Sequence, residues 1–432
     1  MKQRIIKLLR ILKVYAPDWV VAAFRKYLER RFYRKMLKKH KSLHPYEKGH
    51  YETGINLIGN IRSETGLGES MRIIARILKE NEIPFVIVCT DAWANEDNNI
   101  HDWDDYTVEE PKYSINFIHI NAMEWGRYYS DFPTEWLDYR YIVGYWLWEL
   151  ETLPKIWHPC LKTMDELWAP SQFICDCVKK YTKNPVVHLP YAMFLNEPVA
   201  YDRAYFNLPE DAYLHLLMYD FRSVSERKNP KASIKAFKDA FTPEQANEQH
   251  IGLILKVNNA ATESELNGLK KELTGYDYIY YITKNLTRAE VESLEAAADV
   301  LLSLHRAEGF GLPIAEAMYL GTPAVATNWS ANAEFMNGEK VDGAFTAADC
   351  CCPVDGDFIT IPTQIGPYEK GNRWMDADVA QATGYLKRLY EDKDYYRMLS
   401  ENGRKQIRMT LNYERSGKII KEKLLEKVKE PE

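Results

Sequence analysis

The chain has 432 residues, too many for one ordinary hydrophobic core, so two domains are expected. At 46% hydrophobic and 27% charged residues it is not disordered, collagenous or wholly coiled coil. The net charge of -6 conceals an asymmetry: residues 1–44 hold 14 Lys plus Arg against Asp18 and Glu29, a local balance of +12 that leaves -18 for the rest. Such an acidic body excludes wrapped nucleic acid, whereas the basic arm suits anionic phospholipid.

In chain order, Ile5, Leu8, Leu9 and Leu12 recur at helical spacing while Lys7, Arg10 and Lys13 gather on another side. These basic residues break the apolar centre that a signal peptide requires, and no run reaches the roughly 18 apolar residues of a membrane span. Pro17 ends the segment. A second helix begins near Trp19 and runs through Phe24, Tyr27, Leu28 and Phe32 with basic residues interleaved. Such a helix either lies in a lipid interface, each Lys or Arg adding about 1 kcal/mol beside an anionic leaflet, or packs on the domain or on a second subunit; lipid is the preferred reading. A homo-oligomer is left open. The seven cysteines, Cys89, Cys160, Cys175, Cys177 and Cys350 to Cys352, are odd in number and lack zinc-knuckle spacing. They fit a reducing compartment rather than a disulfide framework or a metal site.

Beyond the arm, short apolar runs alternate with helical patterns. Strands are expected at 54–61, 84–90, 115–121 and 140–146, and the alternation restarts at 214–221, 251–257, 278–283, 300–305 and 323–328. That rhythm predicts two α/β units, each a parallel sheet covered on both faces, with a cleft at the carboxyl ends of the strands. Residues 191–211 lack periodicity and read as the linker. The expected boundaries are an arm at 1–48, a first domain at 49–195, a second at 196–395 and terminal helices at 396–432.

In the first unit, Gly66 and Gly68 precede a helix without the G-x-G-x-x-G dinucleotide pattern. They make either a hinge or phosphate contact, or a tight strand-to-helix turn. His119 and Asn121 share one side of their strand near its carboxyl end, and His119 is either a ligand contact or a satisfied core residue. Trp146, Trp148 and Glu149 close the next strand; the two rings would stack on a sugar or fill the core. In the second unit a strand ends near His305, a loop carries Glu308, Gly309, Phe310 and Gly311, and Pro313 opens a helix containing Glu316. Open backbone N–H groups there suit a phosphate, and the two carboxylates suit vicinal hydroxyls on different parts of one ligand.

The stretch EGFGLPIAE, with its two glutamates separated by seven residues, resembles the signature of glycosyltransferase family 4, the retaining GT-B enzymes. FRSVSERKNPKASIKAF is similar to that family's basic pair after the first strand. LHRAEGFGL, TNWSANAEF, GLGES, GYWLWELETLP and DELWAPSQF resemble a bacterial polysaccharide-assembly branch, so the resemblance covers residues 54–420. It implies two Rossmann-like domains facing a cleft, a terminal helix that crosses back to the first domain, and a hexosyltransferase that uses a nucleotide-sugar donor as co-substrate with no metal. It further implies Lys228 at the donor diphosphate. The family's arginine falls on Ser223, leaving Arg227 or Arg222 for that role. Glu316 would hold the ribose and Glu308 the transferred sugar, with His305, Arg306 and Leu312 in the donor site, His119 among the catalytic residues, and Gly66, Gly68, Asn121 and Glu149 lining the acceptor side or cleft. The expected acceptor is a glycan on a lipid carrier, and the expected place is cytoplasmic, at the inner face of the cytoplasmic membrane. A soluble acceptor and a non-catalytic scaffold are the rivals.

Overall fold

A computed structural model describes residues 17–90, 99–221, 223–258, 263–338 and 344–428. The amphipathic segment expected at residues 5–15, and Arg222, lie outside the described residues.

The second arm segment is one helix, Asp18–His40. Its buried side is spent on the protein. Tyr33 and Met36 enter the core cluster around Trp125 and Tyr129, His40 Nδ1 meets the Tyr129 hydroxyl at 2.8 Å, and Lys35 pairs with Asp131 at 2.9 Å. Packing on the domain thus accounts for one side of this helix, while Tyr27, Arg30, Arg31, Arg34 and Lys38 remain exposed. Among the described residues no helix is long and apolar enough to cross a membrane.

The first sheet contains β1 (Ile55–Gly59), β2 (Phe85–Cys89), β3 (Thr107–Val108), β4 (Ile115–His119), β5 (Tyr141–Tyr145), β6 (Glu166–Ala169) and β7 (Val186–His188). All pairings are parallel, in the order β3-β2-β1-β4-β5-β6-β7. The second sheet contains β8 (Tyr213–Asp220), β9 (Ile251–Asn258), β10 (Ile279–Ile282), β11 (Val300–Ser303), β12 (Ala324–Thr327) and β13 (Cys352–Val354), in the order β10-β9-β8-β11-β12-β13. Every residue of β1 and β4 is buried, as a parallel sheet covered on both faces demands. Strand order reverses between β1 and β4 and again between β8 and β11, and in doubly wound sheets the ligand crevice opens at that reversal.

Several strands escaped the sequence reading. β3 and β7 are too short to show periodicity, and β6 begins with Glu166, a charged residue that is buried because Tyr141 and Trp168 donate to it. The cysteine run turned out to lead into the edge strand β13, with all three thiols buried and free. An antiparallel hairpin of β14 (Gly356–Thr360) and β15 (Arg373–Ala377) follows. It reaches the other unit, where Arg373 pairs with Glu151 at 2.7 Å and Tyr368 stacks on Trp148 at 5.5 Å.

The two units are tied at further points. Glu334, of the second, accepts the N–H groups of Gln172 and Phe173 at 2.9 and 2.5 Å and so caps a first-unit helix, Gln172–Lys179. The helix Tyr413–Ile420 lies against the helix Gly66–Glu80: Asn81 donates to the Tyr413 carbonyl at 3.0 Å, and Ser416 donates to the Pro190 carbonyl at 2.9 Å. Farther on, Lys427 pairs with Glu166.

Candidate functional site

β8 and β11 are neighbours, so the segments that leave their carboxyl ends meet. The first forms the one-turn helix Ser225–Lys228; the second forms the loop from His305 to Gly311 and then the helix Leu312–Leu320. The Arg306 N–H donates to the Arg227 carbonyl at 2.7 Å, fastening one to the other. Arg227 turns inward. Its Nη1 donates to the Ala307 carbonyl at 2.8 Å and lies 3.5 Å from Glu308 Oε2, while Lys228 Nζ pairs with Glu308 Oε1.

All three charges are buried or nearly so, and their ionisation shows it. Burial pushes the Glu308 carboxyl up, but Lys228 and Arg227 overcome that and hold it down at about 2. Burial lowers Lys228, against support from Glu308. Burial also works against the charge of Arg227, but Glu308 and then Glu149 more than offset it. Glu149 comes from the first unit, and Gly309 packs beside it: a Cβ on Gly309 would lie 3.7 Å from Glu149 Cγ. The cluster therefore spans the cleft and carries two cations for one central carboxylate, with a second carboxylate at its rim. His305 lies fully buried beside it with neither ring nitrogen hydrogen-bonded, and burial lowers it to about 4, so it is neutral.

The loop geometry follows from its glycines. Gly311 sits at φ 92° and precedes the helix without any side-chain cap, leaving the amino end of Leu312–Leu320 open to an anion. Leu312 is half-buried, and the helix starts one residue before Pro313. Phe310 packs into the core, 4.5 Å from the Tyr191 ring and 5.2 Å from the Phe335 ring. Arg306 is directed away, toward Asp376 at 2.7 Å, and Ser223 is half-buried in the turn after β8, its N–H bonded to the Asp220 carbonyl at 3.0 Å.

Glu316 does not join Glu308. It is buried within a second charge cluster, where Arg288 Nη2 meets its Oε1 at 2.6 Å and Arg288 Nε meets Glu292 Oε1 at 3.1 Å. Glu295 adjoins it, fully buried. Burial and the Glu316 charge raise Glu295 far above the usual carboxylate range, and burial raises Glu316 too, against the pull of Arg288. Glu69 of the first unit faces Arg288 as well; burial raises its carboxyl, but Arg288 and Arg72 lower it further. Sequence reasoning missed Arg288, Glu295 and Tyr368, since nothing local marks a residue whose partners arrive from other elements.

On the first unit, Gly66 is exposed with open space around it, whereas a Cβ on Gly68 would lie 2.1 Å from the Ser63 carbonyl oxygen. Gly68 is thus required by a tight turn, which Thr65 caps and Arg72 braces through the Ile61 and Ser63 carbonyls at 2.7 and 2.8 Å. Asn121 accepts the Leu147 N–H at 2.8 Å, joining the ends of β4 and β5. His119 is buried, its Nε2 at 2.6 Å from Ser70 Oγ, and burial lowers it to about 4. Trp146 is core, packed edge-on against Trp125, whereas Trp148 supports Tyr368.

Residues 220–349 match the family model described as glycosyl transferases group 1. No curated protein sequence matches the chain. Among solved structures, the sucrose-phosphate synthase of Thermosynechococcus elongatus aligns with a TM-score of 0.61 at 14% identity, over 87% of this chain and 99% of its own. HepE of Anabaena, solved with UDP and glucose, aligns with a TM-score of 0.55 at 12% identity, over 86% of this chain and 99% of its own. The apo lipopolysaccharide outer core galactosyltransferase WaaB aligns with a TM-score of 0.54 at 13% identity, over 86% of this chain and 100% of its own. The chain therefore has the GT-B architecture, and the segment that matches the glycosyl transferases group 1 model is the one that holds Arg227, Lys228, Glu308 and Glu316.

Proposed function

We propose that the protein is a retaining hexosyltransferase that moves a sugar from a nucleotide-sugar donor to a growing, lipid-linked glycan of a surface polysaccharide, without a metal. The observation that carries this reading is the buried Arg227–Lys228–Glu308 cluster beside the uncapped amino end of the Leu312–Leu320 helix. A departing nucleoside diphosphate needs its developing charge stabilised in a site that excludes water. Two cations and open backbone N–H groups supply that stabilisation. Glu308, held ionised, accepts from a hydroxyl of the transferred sugar, and Glu316 from the ribose, once Arg288 yields that carboxylate. In front-face transfer the leaving phosphate oxygen takes the acceptor proton, so these residues position and stabilise rather than attack. Support for the donor class comes from HepE, which was solved with UDP and glucose. Support for the acceptor class comes from WaaB, named for a lipopolysaccharide outer core, and from the basic face of the Asp18–His40 helix, which suits the anionic inner face of the cytoplasmic membrane.

A nucleotide-sugar panel tests the reading. The expected result is micromolar to millimolar binding of one donor with slow hydrolysis, and at least a tenfold loss of affinity in Glu316→Ala. Neither binding nor hydrolysis with any donor would overturn it in favour of a scaffold.

A further inference from the structure

We infer that Tyr191 is a positioning residue that holds the first unit in register with the loop bearing Glu308, acting through Ser70 and His119. The inference rests on the transfer reaction proposed above. The Tyr191 hydroxyl donates to Ser70 Oγ, and Ser70 Oγ lies 2.6 Å from His119 Nε2. Ser70 and Tyr191 are fully buried, and His119 nearly so. Since Ser70 receives the tyrosine proton, its own hydroxyl proton goes to Nε2. That makes Nε2 of the neutral imidazole the acceptor and leaves Nδ1 of His119 as its protonated nitrogen. Tyr145 also hydrogen-bonds Tyr191, so the tyrosine is a branch point of the chain. Nε2 of His119 is taken by Ser70 and the ring is buried, so the histidine serves the relay rather than a sugar.

The relay lies within the first unit, and the Tyr191 ring carries it to the second. Ser70 belongs to the helix after β1 and His119 to the end of β4, the two elements that flank the crevice of the first sheet. The Tyr191 ring packs at 4.5 Å on Phe310, two residues from Glu308. A ring wedged against the donor loop and hydroxyl-bonded to the opposite wall fixes how far apart donor and acceptor sides sit, a distance to which transfer is acutely sensitive.

Tyr191→Phe keeps the ring and removes only the hydroxyl, with its hydrogen bonds to Ser70 and Tyr145. Hydrogen exchange with and without UDP reads the coupling. In the parent, UDP bound on the second unit should raise protection of amides in the Gly66–Glu80 helix; in Tyr191→Phe that increment should fall by about fivefold or more while the Kd for UDP stays within twofold. Ser70→Ala, which breaks the relay at its centre, should do the same and serves if Tyr191→Phe fails to fold. No UDP-dependent change in that helix of the parent, or a full change in the variants, overturns the inference. A parent that binds UDP but shows no coupling leaves the proposed function standing; one that binds no nucleotide or nucleotide sugar overturns both.

Discussion

Replacing Glu308 by Gln keeps the side chain's shape and deletes its charge from between two buried cations. The Glu308 carboxyl is held at about 2 against an ordinary 4.5, which at 1.36 kcal/mol per pH unit corresponds to roughly 3 kcal/mol of stability at neutral pH. Breaking a buried ion pair by removing one partner costs about 3–5 kcal/mol by an independent route, because the orphaned charge stays desolvated. At about 2–4 °C per kcal/mol for a domain of 150–250 residues, Tm of Glu308→Gln at pH 7 should fall by about 6–12 °C. The sign of the pH dependence follows from a lowered carboxyl. The parent's advantage is complete above pH 4.5 and is lost as pH falls from there through about 2, so the gap between parent and variant should close across that window. Differential scanning calorimetry at pH 7, 5 and 3 measures it. Equal Tm values at pH 7, or a gap that persists unchanged at pH 3, would refute the claim that Lys228 and Arg227 hold this carboxylate as a buried anion.

Two further outcomes are expected. Gly68→Ala should cost about 1–3 kcal/mol, since its Cβ would lie 2.1 Å from a backbone carbonyl that Arg72 holds in place, while Gly66→Ala should be close to neutral; chemical denaturation of both separates a steric requirement from a merely flexible loop. Reversing Arg30, Arg31 and Arg34 to Glu should leave Tm unchanged and reduce sedimentation with phosphatidylglycerol vesicles by about a hundredfold or more in partition coefficient, at about 1 kcal/mol per basic residue removed. Undiminished sedimentation would show that this face does not meet lipid. Deleting the whole arm is a poorer test, because it also strips Tyr33 and Met36 from the core around Trp125.

What was legible beforehand depended on how far each signal reached along the chain. The major strands could be read because parallel strands covered on both faces must be continuously apolar, and nine such runs stand out from residues 54 to 328. β6 hid behind Glu166, which becomes tolerable inside only when Trp168 of the same strand and Tyr141 and Lys427 from two other elements converge on it. The Gly311 turn and the helix after it were readable because their cause is local backbone geometry. Arg288 was not, since a lone arginine opening a helix acquires significance only from Glu316, Glu292 and Glu69 around it.

The same division holds for the charges. Sequence by itself determined the +12 arm, the -18 body, the two α/β units and the local pattern of glycines, glutamates and basic residues, because composition and periodicity are properties of short stretches. Only the tertiary structure decided which charges meet: Glu308 goes to Arg227 and Lys228, Glu316 to Arg288, His119 to Ser70, and the arm's apolar stripe to the Trp125 core. Burial makes those choices binding, for a desolvated charge without a partner is costly, and the partner it takes is whichever residue the packing of distant segments brings within reach.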